Sequence, residues 1–364
     1  MNAYITKTGS FLPGEKVRNE MIQQFMGDLD GEESIRKKIL RMNGIKSRYY
    51  ALDQNQQPTH DIYELAALAA ENCLGAGGHK IGHLSAGSTN TPMVGPGISS
   101  ILHDRLSSKG LIHGAVEINS NSGICSASAQ ALVNSSRAIC SGDHESALCI
   151  GVEQPSAILK STFIKPPDDR HLFDEKSITK SKWFMSVFLR SMLSDGAGAF
   201  LLENKPCETG VSYRVNWTHS RSYADSTPLC MSLESSSLLL SQDAAILAEH
   251  LGPCVKDVVK SAMVEKDDDF SSFQTILPHL SSLYFKRILT AVFDEMCGGE
   301  SVPHWTNLET AGNTGAASIF IMLDEFTRNS PPKHGDKILL FIPESGQFNF
   351  VLVSLTAVIS DKLA

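Results

Sequence analysis

Gly123-Ile124-Cys125-Ser126-Ala127-Ser128-Ala129-Gln130-Ala131-Leu132 is the stretch on which the reading of this chain turns. Small side chains fill it, and almost no charge follows until Arg137. Ahead of it, Ala115-Val116-Glu117-Ile118-Asn119-Ser120-Asn121 reads as a short strand entering a turn. Together they predict a strand, a turn and a buried helix with Cys125 near the first helical turn. Unpaired N–H groups and the positive end of a helix dipole favour a thiolate at such a position. The thiolate is the form of cysteine that attacks acyl groups. A lone cysteine in an apolar run is more often a small core residue, so the weight falls on the rest of the chain.

Outward from this stretch, strand-like and helix-like segments alternate. Gly82–Thr89 ends a short strand, and Ser146–Val152 is another. The segment 155–190 is a polar excursion holding Pro166-Pro167-Asp168-Asp169-Arg170. Ser194-Asp195-Gly196-Ala197-Gly198-Ala199-Phe200-Leu201-Leu202 then closes a first half with a glycine turn and an apolar strand. The second half opens with strand 210–215. A helix follows at about 243–266, kinked or broken at Pro253. Strand 273–277, helix 281–297, a glycine turn at 312–315, helix 316–326 and strands 337–342 and 348–356 complete it. This order implies an α/β fold of two similar halves, drawn at 1–203 and 204–364. No residue-level repeat accompanies it. The run Ser235–Ser241 reads as a surface loop, or as leucines lining a channel.

The composition limits the function. With 364 residues, 42% apolar and 20% charged, the chain can bury a sizeable core. A net charge of −8 argues against nucleic acid as a partner. Cys73, Cys125, Cys140, Cys149, Cys207, Cys230, Cys254 and Cys297 form no C-x-x-C pair, which argues against a zinc site and a disulfide scaffold. The opening residues lack a basic-then-apolar signal, and no apolar run reaches about 18 residues. The expectation is a cytoplasmic protein with reduced thiols, no membrane partner and no metal.

Two further places carry chemistry. His279 follows the apolar strand ending at Pro278, and in α/β sheets ligands gather at the carboxyl ends of strands. Asn313 sits in the turn Gly312-Asn313-Thr314-Gly315, where glycines allow close approach of backbone to a ligand. Singly, each has a plain structural reading. With Cys125 they form a Cys, His, Asn set, each at a turn between strand and helix.

This set, in its setting, resembles the condensing enzymes of the thiolase superfamily, specifically β-ketoacyl-acyl-carrier-protein synthase III. Asn43-Gly44-Ile45-Lys46-Ser47-Arg48 resembles the family's Gly-Ile-x-x-Arg. Ser88-Thr89-Asn90-Thr91-Pro92 resembles its Thr/Ser-rich segment, and Asp195–Ala199 its Gly-Asp-Gly-Ala-Gly-Ala strand. Gly312-Asn313-Thr314-Gly315-Ala316-Ala317-Ser318 is close to Gly-Asn-Thr-Ser-Ala-Ala-Ser. Some positions depart. The family's His-Gln-Ala-Asn appears as His279-Leu280-Ser281-Ser282, and its Gly-Gly-Gly-Phe run is replaced by Glu344-Ser345-Gly346-Gln347-Phe348. The departures resemble a divergent branch of secondary metabolism that builds dialkylresorcinol-type or related polyketide products.

The resemblance implies a thiolase-like fold of two halves in five αβαβα layers. It implies an acyltransferase and ketosynthase in which Cys125 is acylated by a thioester and undergoes Claisen condensation with a malonyl- or β-ketoacyl-type thioester. His279 and Asn313 would hydrogen-bond the second thioester and its enolate. Cys125 and the segment Gly346–Gln347 would supply oxyanion donors, and Ser282 would replace a substrate-binding amide. Acyl-CoA or acyl carrier protein would bring the substrates, with no further cofactor, to a homodimer. Asn313 favours carbon–carbon bond formation over O-acyl transfer, since Asp there could only accept while ionised. A supporting subunit of a heterodimeric ketosynthase is a second alternative. A papain-like protease is excluded by the missing Cys-Gly-x-Cys-Trp signature. Phe163, Phe184, Met185 and Phe188 either line an acyl pocket or pack the excursion onto the body. Lys37, Lys38, Arg41, Lys46 and Arg48 make a locally basic segment suited to a phosphopantetheine arm or an acidic carrier.

Overall fold

The computed structural model describes residues 1–29, 32–164, 182–235, 238–300 and 302–360. Residues 165–181 of the expected excursion, Pro166–Arg170 among them, lie outside the described residues. Nine strands form one hydrogen-bonded sheet: β1 (Ala3–Phe11), β2 (His83–Ser88), β3 (Glu117–Ser122), β4 (Ser146–Glu153), β5 (Gly196–Glu203), β6 (Gly210–Ser222), β7 (Thr275–Pro278), β8 (Lys337–Pro343) and β9 (Asn349–Ser360). The longer helices are α1 (Glu32–Asn43), α2 (Ile62–Leu74), α3 (Ile98–Ser108), α4 (Ala127–Ser141), α5 (Lys182–Arg190), α6 (Ala244–Lys266), α7 (Lys286–Met296) and α8 (Ser318–Asn329). Helix α6 runs through Pro253 without a break.

Strand order is β7-β8-β9-β6-β1-β5-β4-β2-β3. Outward from β1, the pairings are antiparallel to β5, antiparallel to β4, parallel to β2 and parallel to β3. Outward from β6, they are antiparallel to β9, antiparallel to β8 and parallel to β7. A single parallel bridge, Ile276 to His304, stands where the first half has its fourth pairing. The halves therefore repeat one topology. They join at a short antiparallel seam, Ala3–Val215, Tyr4–Arg214 and Ile5–Tyr213.

Three cores separate five layers. Helices α2 and α3 cover the outer face of the first half, burying Leu65, Ala66, Leu102 and Leu106 against Leu148, Ile150 and Leu201. On the far side, α6 and α7 bury Val255, Val258, Leu289 and Phe293 against Ile276, Phe341 and Leu352. Between them α4 and α8 form the middle layer, with Leu132, Val133, Phe320 and Leu323 packed on Ile5, Phe200, Leu340 and Val353. Phe200 and Phe320 stack with centroids 4.3 Å apart. The outer helices are capped in sequence-legible ways. Asp61 accepts from the Glu64 N–H at the start of α2, and Asp243 accepts from the Ala245 and Ile246 N–H groups at the start of α6.

The small residues of α4 now have a reason. A Cβ at Gly87 on β2 would lie 2.5 Å from the backbone of Ala127 and Ser128. Only glycine there lets the first turn of α4 settle onto the sheet, and that contact sets the height of Cys125.

Candidate active site

Cys125 is a buried free thiol two residues before α4, just ahead of the N-cap Ser126. Two cavities meet at it. The first, of about 640 Å³, is lined by Cys125, Asn313, Thr89, Glu153, Leu189, Met192, Leu193, Met231, Leu233 and Leu240 among others. The second, of about 400 Å³, is lined by Cys125, His279, Glu344, Leu247, Leu251, Leu280, Phe285 and Leu289 among others. Ser281 and Ser345 touch both.

His279 leaves the end of β7 with its N–H donated to the Phe341 carbonyl at 2.8 Å, which extends the parallel pairing and holds the residue at the cavity. Neither ring nitrogen has a hydrogen-bond partner among the described residues. Burial pushes its pKa down to about 4, so the ring is neutral near pH 7, with one N–H to donate and one nitrogen to accept.

Asn313 is held through its backbone. Its N–H donates to the Met192 carbonyl at 3.0 Å, and its carbonyl accepts from the Ser194 N–H at 2.9 Å. The preceding Gly312 has φ +76°, and a Cβ on it would lie 2.9 Å from the Cβ atoms of Arg48 and Ser194. The side-chain Oδ1 accepts from the Gly315 N–H at 3.0 Å. That fixes the amide orientation and leaves the NH₂ group as the donor toward the cavity that Asn313 lines.

The helix start differs from its expected electrostatics. The N–H groups expected to favour a thiolate are taken by Glu344. Its Oε2 accepts from the Ile124 N–H at 3.2 Å, the Ser126 N–H at 3.0 Å and the Ser126 hydroxyl at 2.6 Å. Its Oε1 accepts from the Asn349 amide at 2.8 Å. Burial pushes the Cys125 thiol up, and the Glu344 and Glu153 carboxyls push it further. At rest Cys125 is therefore a neutral thiol.

Glu153, on the wall of the larger cavity, is a second buried carboxyl. Its Oε1 accepts from the Thr89 N–H at 2.8 Å and the Thr89 hydroxyl at 2.6 Å. Burial raises its pKa to about 7 despite those bonds. Asp195 takes a structural place, accepting from the N–H groups of Ala51 and Ser156 and from the Ser156 hydroxyl.

The other expected positions divide. Gly346 lies against the nucleophile turn, since a Cβ there would sit 3.1 Å from Ile124 and 2.8 Å from Glu344. Gln347 lines neither cavity. Ser282 caps the short turn 283–285, accepting from the Tyr284 N–H at 3.2 Å, and its neighbour Ser281 faces the cavities instead. Leu240 of the Ser/Leu run lines the larger cavity, in the hairpin of Met231–Leu233 with Leu240–Gln242, so the run is not only a surface loop. Phe163, Met185 and Phe188 line neither cavity, and the Phe184 side chain lies outside the described residues. Of the basic segment, Arg48 is wholly buried, donating to the Ser191 carbonyl, and Lys46 pairs with Glu309. Neither belongs to a free basic face. Neither Glu344 nor Glu153 is a site candidate from sequence: a carboxylate in a substituted glycine run, or at the end of an apolar strand, carries no spacing signal.

This fold and site define a thiolase-like α/β protein with a cysteine at the junction of two cavities. Comparison with known proteins narrows it to the neighbourhood of β-ketoacyl synthase III. No family model matches the chain. It is 26% identical over 348 residues to a β-ketoacyl-[acyl-carrier-protein] synthase III of Clostridium perfringens, covering 93% of this chain and 94% of that one. Among solved structures it is similar to AbyA1, a tetronic acid condensing enzyme, with a TM-score of 0.76 at 18% identity, covering 97% and 99% of the two chains. It is similar too to a variant of OleA from Xanthomonas campestris with bound lauric acid and lauroyl-CoA, with a TM-score of 0.76 at 17% identity, covering 98% and 99%. The likeness read from five short motifs thus extends over nearly the whole chain. No helix among the described residues is long and apolar enough to cross a membrane.

Proposed function

We propose that this protein is a ketosynthase-type acyltransferase that loads an acyl group onto Cys125 and joins it to the α-carbon of a second thioester. The observation that carries the reading is the meeting of the two cavities at Cys125, with Asn313 lining one and His279 the other. An acyl thioester and the Cys125 thiol exchange partners, the new bond forming to Cys125 and the proton ending on the departing thiol. The α-carbon of the second thioester, having lost a proton or, for a malonyl unit, carbon dioxide, then attacks the acyl carbonyl, and Cys125 leaves with the carbon–sulfur electron pair and takes up a proton. Neutral His279 and the Asn313 amide each offer an N–H to the oxygen of the forming enolate. Asn313 supports carbon–carbon bond formation over the alternative of O-acyl transfer.

The larger cavity, walled by Ile158, Leu189, Met192, Leu193, Met231, Leu233 and Leu240, suits an apolar acyl chain. The lauroyl-CoA bound in the OleA structure carries a chain of that kind. Acyl-CoA or acyl carrier protein would deliver both substrates on phosphopantetheine, and the reaction as written needs no other cofactor. The exposed edge strand β3 supports a homodimer. The departures at Ser282 and Glu344–Gln347 support a secondary-metabolic setting, and the free cysteines support a cytoplasmic one.

The test is intact mass after exposure to acyl thioesters of graded length, on CoA and on carrier protein, followed by peptide mapping. One acyl adduct on Cys125 is expected. Asn313→Asp should then lower condensation by about 10²-fold while acylation changes little. An adduct on another cysteine, or equal loss of both steps, overturns the assignment. No adduct with any donor favours the supporting subunit.

A further inference from the structure

The reading above leaves open whether the second thioester carries a carboxylate or an uncharged carbonyl at its β-position. We propose that Glu344 selects the uncharged one, so that the second substrate is a β-ketoacyl-type thioester rather than a malonyl-type one. The inference rests on the acyl-Cys125 reading and adds the chemical class of the partner.

Glu344 accepts four hydrogen bonds and donates none, the pattern of a carboxylate anion. Its Oε2 bonds the N–H groups on both sides of Cys125, which fixes the negative charge at the nucleophile. It lines the smaller cavity together with Cys125 and His279, where the reacting end of a second thioester must sit. The remaining wall is largely apolar, from Leu247, Leu251, Leu280, Phe285 and Leu289.

Among the described residues no lysine or arginine lines either cavity, and the larger one presents a second carboxyl, Glu153. His279, kept neutral by burial, supplies no positive charge. A free β-carboxylate would thus be buried with no described cation, beside the Glu344 carboxylate of its own sign. A ketone at the same position carries no such cost and can accept an N–H.

The chemistry balances without loss of carbon dioxide. The α-hydrogen between the two carbonyls leaves as a proton, and its electron pair forms the bond to the acyl carbonyl carbon. The carbon–sulfur bond to Cys125 breaks, and the sulfur takes that pair and ends with the proton. The products are the branched condensed thioester and free Cys125.

The test measures binding by calorimetry of two non-hydrolysable amide analogues, malonyl-pantetheine and 3-oxobutanoyl-pantetheine. Wild-type protein and Glu344→Gln are compared. Wild type is expected to bind the 3-oxobutanoyl analogue about tenfold more tightly or better. Glutamine keeps the acceptor oxygen and removes the charge, so E344Q should bring the two affinities within about twofold. Equal affinities in wild type, a preference for the malonyl analogue, failure of the 3-oxobutanoyl analogue to bind, or an unchanged gap in E344Q each overturns the proposal. The wild-type comparison decides even where E344Q does not fold. Because these analogues bind the unacylated protein, a missing Cys125 adduct sinks the wider reading without confounding this one.

Discussion

Replacing Gly87 by alanine tests how the fold sets the nucleophile. The new Cβ would lie 2.5 Å from the Ala127 carbonyl carbon and oxygen and from the Ser128 Cα, where ordinary contact starts at 3.4 Å. All three are backbone atoms of the first turn of α4, so no side chain can rotate away. Strand β2 is itself paired on both sides, to β3 and β4. The helix start must therefore yield, by an amount close to the shortfall of about 0.9 Å. Overpacking of this kind costs ~1–3 kcal/mol. A displacement near 1 Å at a nucleophile costs ~10²-fold in rate. The paired control is Gly252→Ala, within α6, where the nearest atom to a new Cβ is Ile288 Cγ2 at 3.8 Å. That change should stabilise the protein by ~0.5–1 kcal/mol through helix propensity. Urea denaturation reads stability, and single-turnover acylation of Cys125 reads position. Wild-type midpoint and acylation rate in G87A would refute the argument, as would an equal loss in G252A.

Glu153→Gln should change the pH dependence of stability. The folded carboxyl titrates at about 7 against a reference of 4.5, so folding holds its proton more tightly. Its contribution is fully present below about pH 4.5 and is lost as pH rises through about 7, by up to ~3 kcal/mol. E153Q should flatten that fall in denaturation midpoints between about pH 5 and pH 8, and parallel curves for the two proteins would count against it. His279 works in the opposite sense, its cost emerging as pH drops below 6.5 toward about 4, and it cancels in the comparison. Ile118→Lys, on the exposed strand β3, should convert a dimer to a monomer in sedimentation. An unchanged mass would remove that strand from the interface.

The motifs carried the fold because each marks a place where backbone or small side chains must come close. Gly312 and the alanines of α4 are legible for that reason, whereas Gly87 lies just ahead of the quoted Ser88–Pro92 motif; together they bring Cys125 and Asn313 to one cavity. His279 was legible from its place after a strand. Charge relations across the fold were not. Glu344 meets Ser126 from 218 residues away along the chain, and no local pattern announces such a pair. Arg48 and Lys46 look alike in sequence, yet one is buried beneath the Asn313 turn and the other is a surface ion pair. The cavity walls fared likewise. The aromatic residues of the excursion were obvious candidates, but the apolar wall comes from Leu189, Met192 and Leu193 and from a hairpin whose leucines followed a serine run.

The two ends of the nine-stranded sheet are not equivalent. At β7, only four residues long, the outer groups of Ile276 are already engaged, its N–H by Pro303 and its carbonyl by Trp305. At β3 the flank is open along six residues, five of them exposed. A protein with two open flanks can add copies without limit and grow into a fibre. Here a second molecule meeting the first flank to flank uses up the open side of both. The bridge at His304 thus acts as a stop that keeps any such association finite.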